Sequence, residues 1–81
     1  MTIKVLFFAK LKEIFGQSYR IVTVKDGTSI DEVVWILGQE SEALSKHEIP
    51  LIYAVNENFE TGERQLRDQD QLAIMTPMSG G

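Results

Sequence analysis

The chain has 81 residues, enough for one small domain with a single core and too few for an enclosed active-site cleft of its own. Its 12 acidic residues against 8 basic ones give a net charge of -4 without any basic cluster, so nucleic acid is not an expected partner. Cysteine is absent, which excludes disulfides, thiolate nucleophiles and cysteine zinc sites.

The sequence also lacks the usual signs of a membrane or secreted protein. No apolar run is long enough to cross a membrane, and the opening residues do not have the pattern of a signal peptide. We therefore expect a cytoplasmic protein without a membrane partner. The single histidine, His47, lies in a polar stretch and is predicted to be a solvated loop residue, and no metal site is expected.

The first part of the chain predicts a strand, a short helix and a second strand. Residues 3–9 are nearly all apolar, which indicates a central strand. In Lys10–Phe15 the apolar residues have helical spacing, and Gly16 is a natural C-cap. Residues 19–24 alternate as a second strand. The connection is too short for a crossover helix, so the two strands are predicted to be antiparallel.

A principal helix is predicted next. It begins within residues 28–32, where Ser29 and Glu32 have the spacing of a capping box. Trp35 lies off the apolar stripe and is predicted to pack at its edge, and Gly38 weakens or ends the helix. The stripe itself consists of Ile30, Val33, Val34 and Leu37.

The rest of the chain, after a polar and acidic stretch at residues 39–48, predicts strands and turns. Phe59 stands among polar neighbours and is a candidate exposed hydrophobic residue. Asp68 and Asp70 are the nearest approach to a carboxylate pair, and both are interpreted as turn residues. The elements predicted here are a strand at 51–55, a turn at 56–58, a candidate short strand at 65–66 and a last strand at 71–76, which Pro77 ends.

This order of elements predicts an α+β fold, the ubiquitin-like β-grasp, in which one principal helix packs on one face of a mixed sheet. We expect one domain over residues 1–81, with 77–81 as an extended, flexible tail. In this fold the first and last strands are parallel neighbours at the centre. Strand parity places Ile3, Val5 and Phe7 on one face, so Leu6 and Phe8 form a contact surface if helices cover only that face.

The chain ends in Ser79, Gly80 and Gly81. Two interpretations of this diglycine are open. It is either a frayed or artificial tail, or a thin tether that presents the Gly81 carboxylate to a partner whose narrow site would exclude side chains.

Fragments spread over nearly the whole chain have the order and spacing of one known family: residues 4–9, 11–13 with Gly16, 54–56, Asp70, Pro77 and 79–81. In these fragments the chain resembles the small subunit of molybdopterin synthase, a sulfur carrier of the β-grasp class. It departs from the family pattern at Lys12, where arginine is usual, at Gln69, where glycine is usual, and at residues 74–77, which replace an aromatic and proline run.

The resemblance implies a cycle at the C-terminus. A separate adenylating enzyme would use ATP and magnesium to activate the Gly81 carboxylate, and a sulfur donor would convert it to a thiocarboxylate. The charged carrier would then donate sulfur to cyclic pyranopterin monophosphate on the large subunit, in a heterotetramer of two small and two large subunits. The carrier is not catalytic alone and holds no permanent cofactor. The lack of cysteine is consistent with sulfur carried on the terminal carbonyl.

For docking on partners we single out Phe8, Phe59, Met75 and Met78, with Leu6 in support and Lys12 as a polar contact; the alternative for the apolar residues is core packing. Three other functions stay open. They are a carrier for thiazole or tRNA thiolation, a ubiquitin-like modifier joined to lysines, and a binding module with an inert tail.

Overall fold

The computed structural model describes residues 1–45 and 50–77, which fold into a mixed sheet with helices packed on one face. Predictions for His47, Met78, Ser79, Gly80 and Gly81 concern residues outside this described part. The elements are β1 (Thr2–Phe7), α1 (Lys10–Phe15), β2 (Tyr19–Thr23), α2 (Ile30–Gly38), α3 (Glu42–Ser45), β3 (Ile52–Val55), β4 (Asn58–Glu60) and β5 (Gln71–Met75).

The sheet has the strand order β2-β1-β5-β3-β4. β1 and β5 are parallel, as expected from the fold, and every other pair is antiparallel, including β1 with β2. Because Phe7 pairs with Ile74, the carboxyl ends of the parallel strands β1 and β5 lie at the same end of the sheet. We call this end of the two central strands the tail edge, since the chain leaves β5 there; the name does not refer to the outermost strands β2 and β4.

Burial alternates along the central strands and confirms the predicted division of faces. Ile3, Val5 and Phe7 are buried, whereas Lys4 and Leu6 on the other face are only partly covered. The core face meets α2, whose capping box is formed by Ser29 Oγ accepting a hydrogen bond from the Glu32 N–H at 3.2 Å. The predicted apolar stripe of α2 is buried in full: Ile30, Val33, Val34 and Leu37.

Several elements differ from the prediction. β1 ends at Phe7, because Ala9 has the positive φ of 49° that starts α1. The acidic stretch after α2 contains α3, in which Leu44 is buried against the core. Phe59 belongs to β4, a strand that was not predicted, while the candidate strand at 65–66 makes only one isolated bridge to Ser29. Trp35 does not pack at the edge of the stripe; its side chain is 69% exposed.

 Ala9 combines φ 49° with ψ -119°, a region that glycine reaches freely and that a Cβ atom makes costly. We expect Ala9→Gly to raise the free energy of unfolding by about 1 kcal/mol, because relief of this strain exceeds the entropy that glycine adds to the unfolded chain. Chemical denaturation measures the change.

The matched control is Gly16→Ala. Gly16 caps α1 at φ 67° with open space around its Cα, so the substitution tests backbone conformation alone. It should lower the free energy of unfolding by about 1 kcal/mol. Equal losses for Ala9→Gly and Gly16→Ala would show that Ala9 is not strained.

A buried carboxylate fixes the start of β5. Asp70 accepts hydrogen bonds from Asn56 Nδ2 at 2.9 Å and from the Arg67 N–H at 2.8 Å. Asn56 Oδ1 in turn accepts from the Gln71 N–H at 3.0 Å, which ties the β3–β4 turn to β5. Asp70 therefore has the turn role that the sequence predicted, and it also joins two distant parts of the chain.

We expect Asp70→Ala to lower the free energy of unfolding by about 2–4 kcal/mol, because it leaves two polar groups without their acceptor. Asp68→Ala is the control. The carboxylate of Asp68 is fully exposed and accepts from the Thr2 N–H at 2.6 Å, a bond that lowers the pKa of Asp68. Thermal and urea unfolding of both variants would separate them, and similar small losses would contradict the role given to Asp70.

Candidate functional site

The side of the sheet away from α2 is largely apolar, and we call it the open face. Strand pairing assigns its members, since paired residues of neighbouring strands point to the same side. The open face consists of Thr2, Lys4, Leu6, Tyr19, Ile21, Thr23, Ile52, Ala54, Phe59, Gln71, Ala73 and Met75.

One row of the open face crosses all five strands. Phe59 pairs with Ala54, Ala54 with Ala73, Ala73 with Leu6, and Leu6 with Tyr19. The two alanines lie in the middle of the row, between Phe59 and Leu6, and have its smallest side chains; we call this pair the alanine trough, in which Ala54 is buried and Ala73 is partly exposed. Phe59 is 78% exposed, which makes it the most prominent apolar side chain of this row.

A second apolar group lies at the tail edge. Met75, the last residue of β5, pairs with the exposed Ile52 at the start of β3. Phe8 follows directly after β1 at the same edge and is 46% exposed. The chain passes through Thr76 and Pro77 immediately beyond this group. A partner that holds the tail would therefore meet an apolar surface where the tail begins.

Charged residues at the open face are few. Lys4 Nζ lies 4.7 Å from the centre of the Tyr19 ring, a cation–π contact that keeps one positive charge over the sheet. The exposed Lys12 is on α1, the short helix that begins two residues after Phe8. Within residues 1–45 and 50–77, no three carboxylate or imidazole side chains are arranged to hold a metal ion.

A tyrosine with a raised pKa, Tyr53, lies away from the open face. Tyr53 is partly buried on the core side of β3, and burial, followed by the negative charge of Asp31, raises the pKa of Tyr53 above its usual 10.0. Its hydroxyl therefore stays protonated and neutral at physiological pH. We assign Tyr53 no chemical role.

The structure brings most of the predicted docking residues together. Phe8, Phe59, Leu6 and Met75 lie on the open face or at its tail edge, and Lys12 lies nearby; Met78, Ser79, Gly80 and Gly81 are outside the described residues. Sequence reasoning missed Tyr19, Ile21 and Ile52. The alternation of β2 contained a signal for Tyr19 and Ile21. Both point to one face of the strand, and the half-buried Val22 points to the other.

The described part of the chain contains no helix that is long and apolar enough to cross a membrane. This agrees with the lengths of α1, α2 and α3, the longest of which has 9 residues.

Comparison with known sequences gives a match over nearly the full length. The model of the ThiS family matches residues 5–81. A molybdopterin synthase sulfur carrier subunit from Chlamydomonas reinhardtii is 30% identical over 83 residues, with 100% of both chains covered. A protein of the same name from Escherichia coli (strain K12) is 31% identical over 81 residues, with 98% of this chain and 99% of the relative covered.

Solved structures establish the fold. SAMP1 from Haloferax volcanii has a TM-score of 0.83 at 20% identity, with 100% of both chains covered. A chain from the complex of subunits 1 and 2 of the molybdopterin-converting factor of Helicobacter pylori 26695 has a TM-score of 0.70 at 20% identity, also with 100% of both covered. The ubiquitin of Caldiarchaeum subterraneum has a TM-score of 0.61 at 15% identity, with 100% of this chain and 98% of that chain covered. The fold is thus the ubiquitin-like β-grasp predicted from the sequence.

Proposed function

The chain belongs to the ThiS family, and we propose that it is the sulfur carrier subunit of a molybdopterin synthase. The observation that carries this proposal is the full-length match to sulfur carrier subunits of that enzyme. The family match extends to residue 81, so it includes the two glycines on which carrier chemistry depends.

The proposed chemistry takes place at the Gly81 carboxylate. A carboxylate is a poor acyl donor, so an activating enzyme first joins it to the α-phosphorus of ATP, with magnesium, and pyrophosphate leaves. Sulfide-level sulfur from a donor (HS⁻) then attacks the carbonyl carbon, AMP leaves, and the thiocarboxylate remains. Its sulfur attacks an oxygen-bearing carbon of cyclic pyranopterin monophosphate; the carbon–sulfur bond forms as the carbon–oxygen bond breaks, and the oxygen leaves on phosphorus or as water. Water finally cleaves the acyl–sulfur bond, which restores the carboxylate and leaves the sulfur on the pterin. This chain supplies the acyl group, and its partners supply the acids, bases and phosphate contacts.

The open face is the surface we assign to the large subunit. A partner that covers Phe59 and the alanine trough buries apolar area without having to desolvate charges. Phe8 and Met75 extend the same contact to the tail edge, where it would direct Met78, Ser79 and Gly80 into the partner's active site. We propose the heterotetramer of two small and two large subunits as the assembly, and the cytoplasm stays the compartment predicted from the sequence.

Intact mass spectrometry tests the chemistry. The protein is incubated with a candidate activating enzyme, ATP, magnesium and a sulfur donor, and omission of ATP is the control. We expect a mass increase equal to the exchange of one oxygen for sulfur, only with ATP. No increase with an activating enzyme that is competent on another carrier would contradict the proposal and favour a binding module with an inert tail.

A second candidate function is that of a protein modifier. SAMP1 from Haloferax volcanii shares the fold of this chain, and a solved structure from that organism is described as small archaeal modifier protein 1. In that case the activated Gly81 carbonyl would pass to the amine of a target lysine. High-mass conjugates that survive denaturing and reducing gels would favour this candidate.

A carrier for thiazole synthesis is a further alternative. Pull-down of a thiazole synthase in place of a molybdopterin synthase large subunit would favour it.

A further inference from the structure

The outer side of α2 exposes two large apolar side chains that the carrier function does not use. Trp35 is 69% exposed and Ile36 is 43% exposed. They lie between the buried residues Val34 and Leu37, which turn toward the core. Because α2 covers the core face of the sheet, Trp35 and Ile36 are on the opposite side of the molecule from the open face.

This apolar pair has acidic neighbours. Asp31 and Glu32 precede Trp35 and Ile36 by one helical turn each, so each carboxylate lies on the same side of the helix as the apolar residue that follows it. α2 contains no basic residue that would neutralise them.

The nearby arginines are already paired with other carboxylates. Arg20 forms an ion pair with Glu40, and Arg64 Nε lies 3.1 Å from Glu60 Oε2. Neither pair includes Asp31 or Glu32. The exposed side of α2 thus combines an indole ring, an aliphatic side chain and the carboxylate of Glu32, which accepts a hydrogen bond from Ser29 Oγ at 3.2 Å. The Asp31 carboxylate lies at the flank of this surface, against Gly62 and close enough to Tyr53 to raise the pKa of that tyrosine.

We propose that this surface, defined by Asp31, Glu32, Trp35 and Ile36, binds a cationic, amphipathic segment of a partner protein. An arginine or lysine side chain would lie over the electron-rich face of Trp35 and beside the carboxylate of Glu32, and an apolar side chain would cover Ile36. Charge complementarity decides between partners. A second copy of this chain would bring the same acidic surface and a net charge of -4, so a basic segment is the better match.

The position of the surface has a consequence for the carrier. A partner bound on α2 leaves the open face free, since that face lies on the other side of the sheet. The carrier can therefore be held by one protein while its tail serves another. The surface itself does not depend on the carrier chemistry.

Trp35 is the only tryptophan of the chain, so its fluorescence reports directly on this surface. The probe is a synthetic helical peptide of leucine and arginine with leucine at amphipathic spacing; a second peptide has glutamate in place of arginine. We expect the arginine peptide to shift the emission to shorter wavelength in a saturable way and the glutamate peptide to have no effect. Equal binding of both peptides would overturn the proposal.

Variants test where the peptide binds, with a dye-labelled peptide and anisotropy as the readout. Trp35→Ala should weaken binding at least about tenfold. Glu32→Gln should weaken it about twofold to threefold and reduce its salt dependence, whereas Glu57→Gln, which removes one exposed charge from the β3–β4 turn, should not. Unchanged binding by Trp35→Ala would refute the assignment. A shift of the Trp35 emission when the protein concentration alone is raised would also refute it, because such a shift would indicate self-association.

Peptide binding in the presence of the large subunit separates this inference from the proposed function. With molybdopterin synthase large subunit bound, the peptide should retain its affinity, because the two surfaces are on opposite sides of the sheet. Failure of the large subunit to bind would count against the carrier assignment and leave the titrations of the free chain valid. Displacement of the peptide by the large subunit would contradict the separation of the two surfaces.

Discussion

Deletion of Gly81 is expected to reduce sulfur transfer to the level measured without any carrier. The deletion moves the terminal carboxylate back by one residue, a displacement of about 3.5 Å in an extended chain. Proximity and alignment supply much of the acceleration in group transfer, so a carboxylate that stops short of the partner's catalytic groups should not be adenylated. The measurement is the formation of thiocarboxylate by mass spectrometry and of sulfur-containing pterin product in the reconstituted reaction.

The control is a variant with one alanine added after Gly81. It displaces the carboxylate in the other direction and should be equally inactive if position decides. Both variants should unfold at the wild-type temperature, because the buried core that the structure describes in residues 1–45 and 50–77 extends from Ile3 to Ile74. Undiminished transfer by the deletion variant would show that sulfur transfer does not require the Gly81 carboxylate.

The fold was predictable because its elements have strong local patterns. The capping box at Ser29 and the stripe from Ile30 to Leu37 predicted α2, and the alternation of Ile3, Val5 and Phe7 predicted which face of β1 is buried. The parallel pairing of β1 with β5 was an expectation from the β-grasp fold. No local pattern could indicate it, since residues such as Val5 and Leu72 are far apart in the chain.

What the sequence did not predict depends on tertiary contacts. β4 has only 3 residues, and because polar residues surround Phe59 the sequence there shows no apolar alternation. The strand forms because it pairs with β3. Trp35, which lies off the apolar stripe of α2, was expected to pack at the edge of that stripe, but it is mostly exposed, and the stripe residues alone face the core.

The candidate site was predictable from the sequence only in part. Phe59 and Phe8 were identified because they are apolar residues at positions where burial was not expected. Ile52 and the alanine trough became visible only when β3 was placed beside β5, since register decides which residues share a face. The identity of docking residues thus depends on strand order more than on hydrophobicity.

Phe59→Glu is expected to weaken binding of the carrier to the large subunit at least about 30-fold, or about 2 kcal/mol. Phe59 is the most exposed apolar side chain of the open face, so covering it contributes apolar burial, and glutamate would place an unpaired charge under the partner. Because the native side chain is 78% exposed, the substitution should leave the fold intact. Calorimetric titration of the large subunit with the variant measures the loss.

Two further variants decide whether the effect comes from the open face. Phe59→Leu keeps an apolar side chain and should retain affinity within about tenfold of wild type. Gln65→Glu adds the same charge at an exposed residue beside the start of α2, away from the open face, and should bind as wild type does. Equal losses for Phe59→Glu and Gln65→Glu would mean that net charge governs the association. Wild-type affinity for Phe59→Glu would mean that the tail alone holds the partner, because a glutamate within a buried apolar contact cannot be neutral to binding.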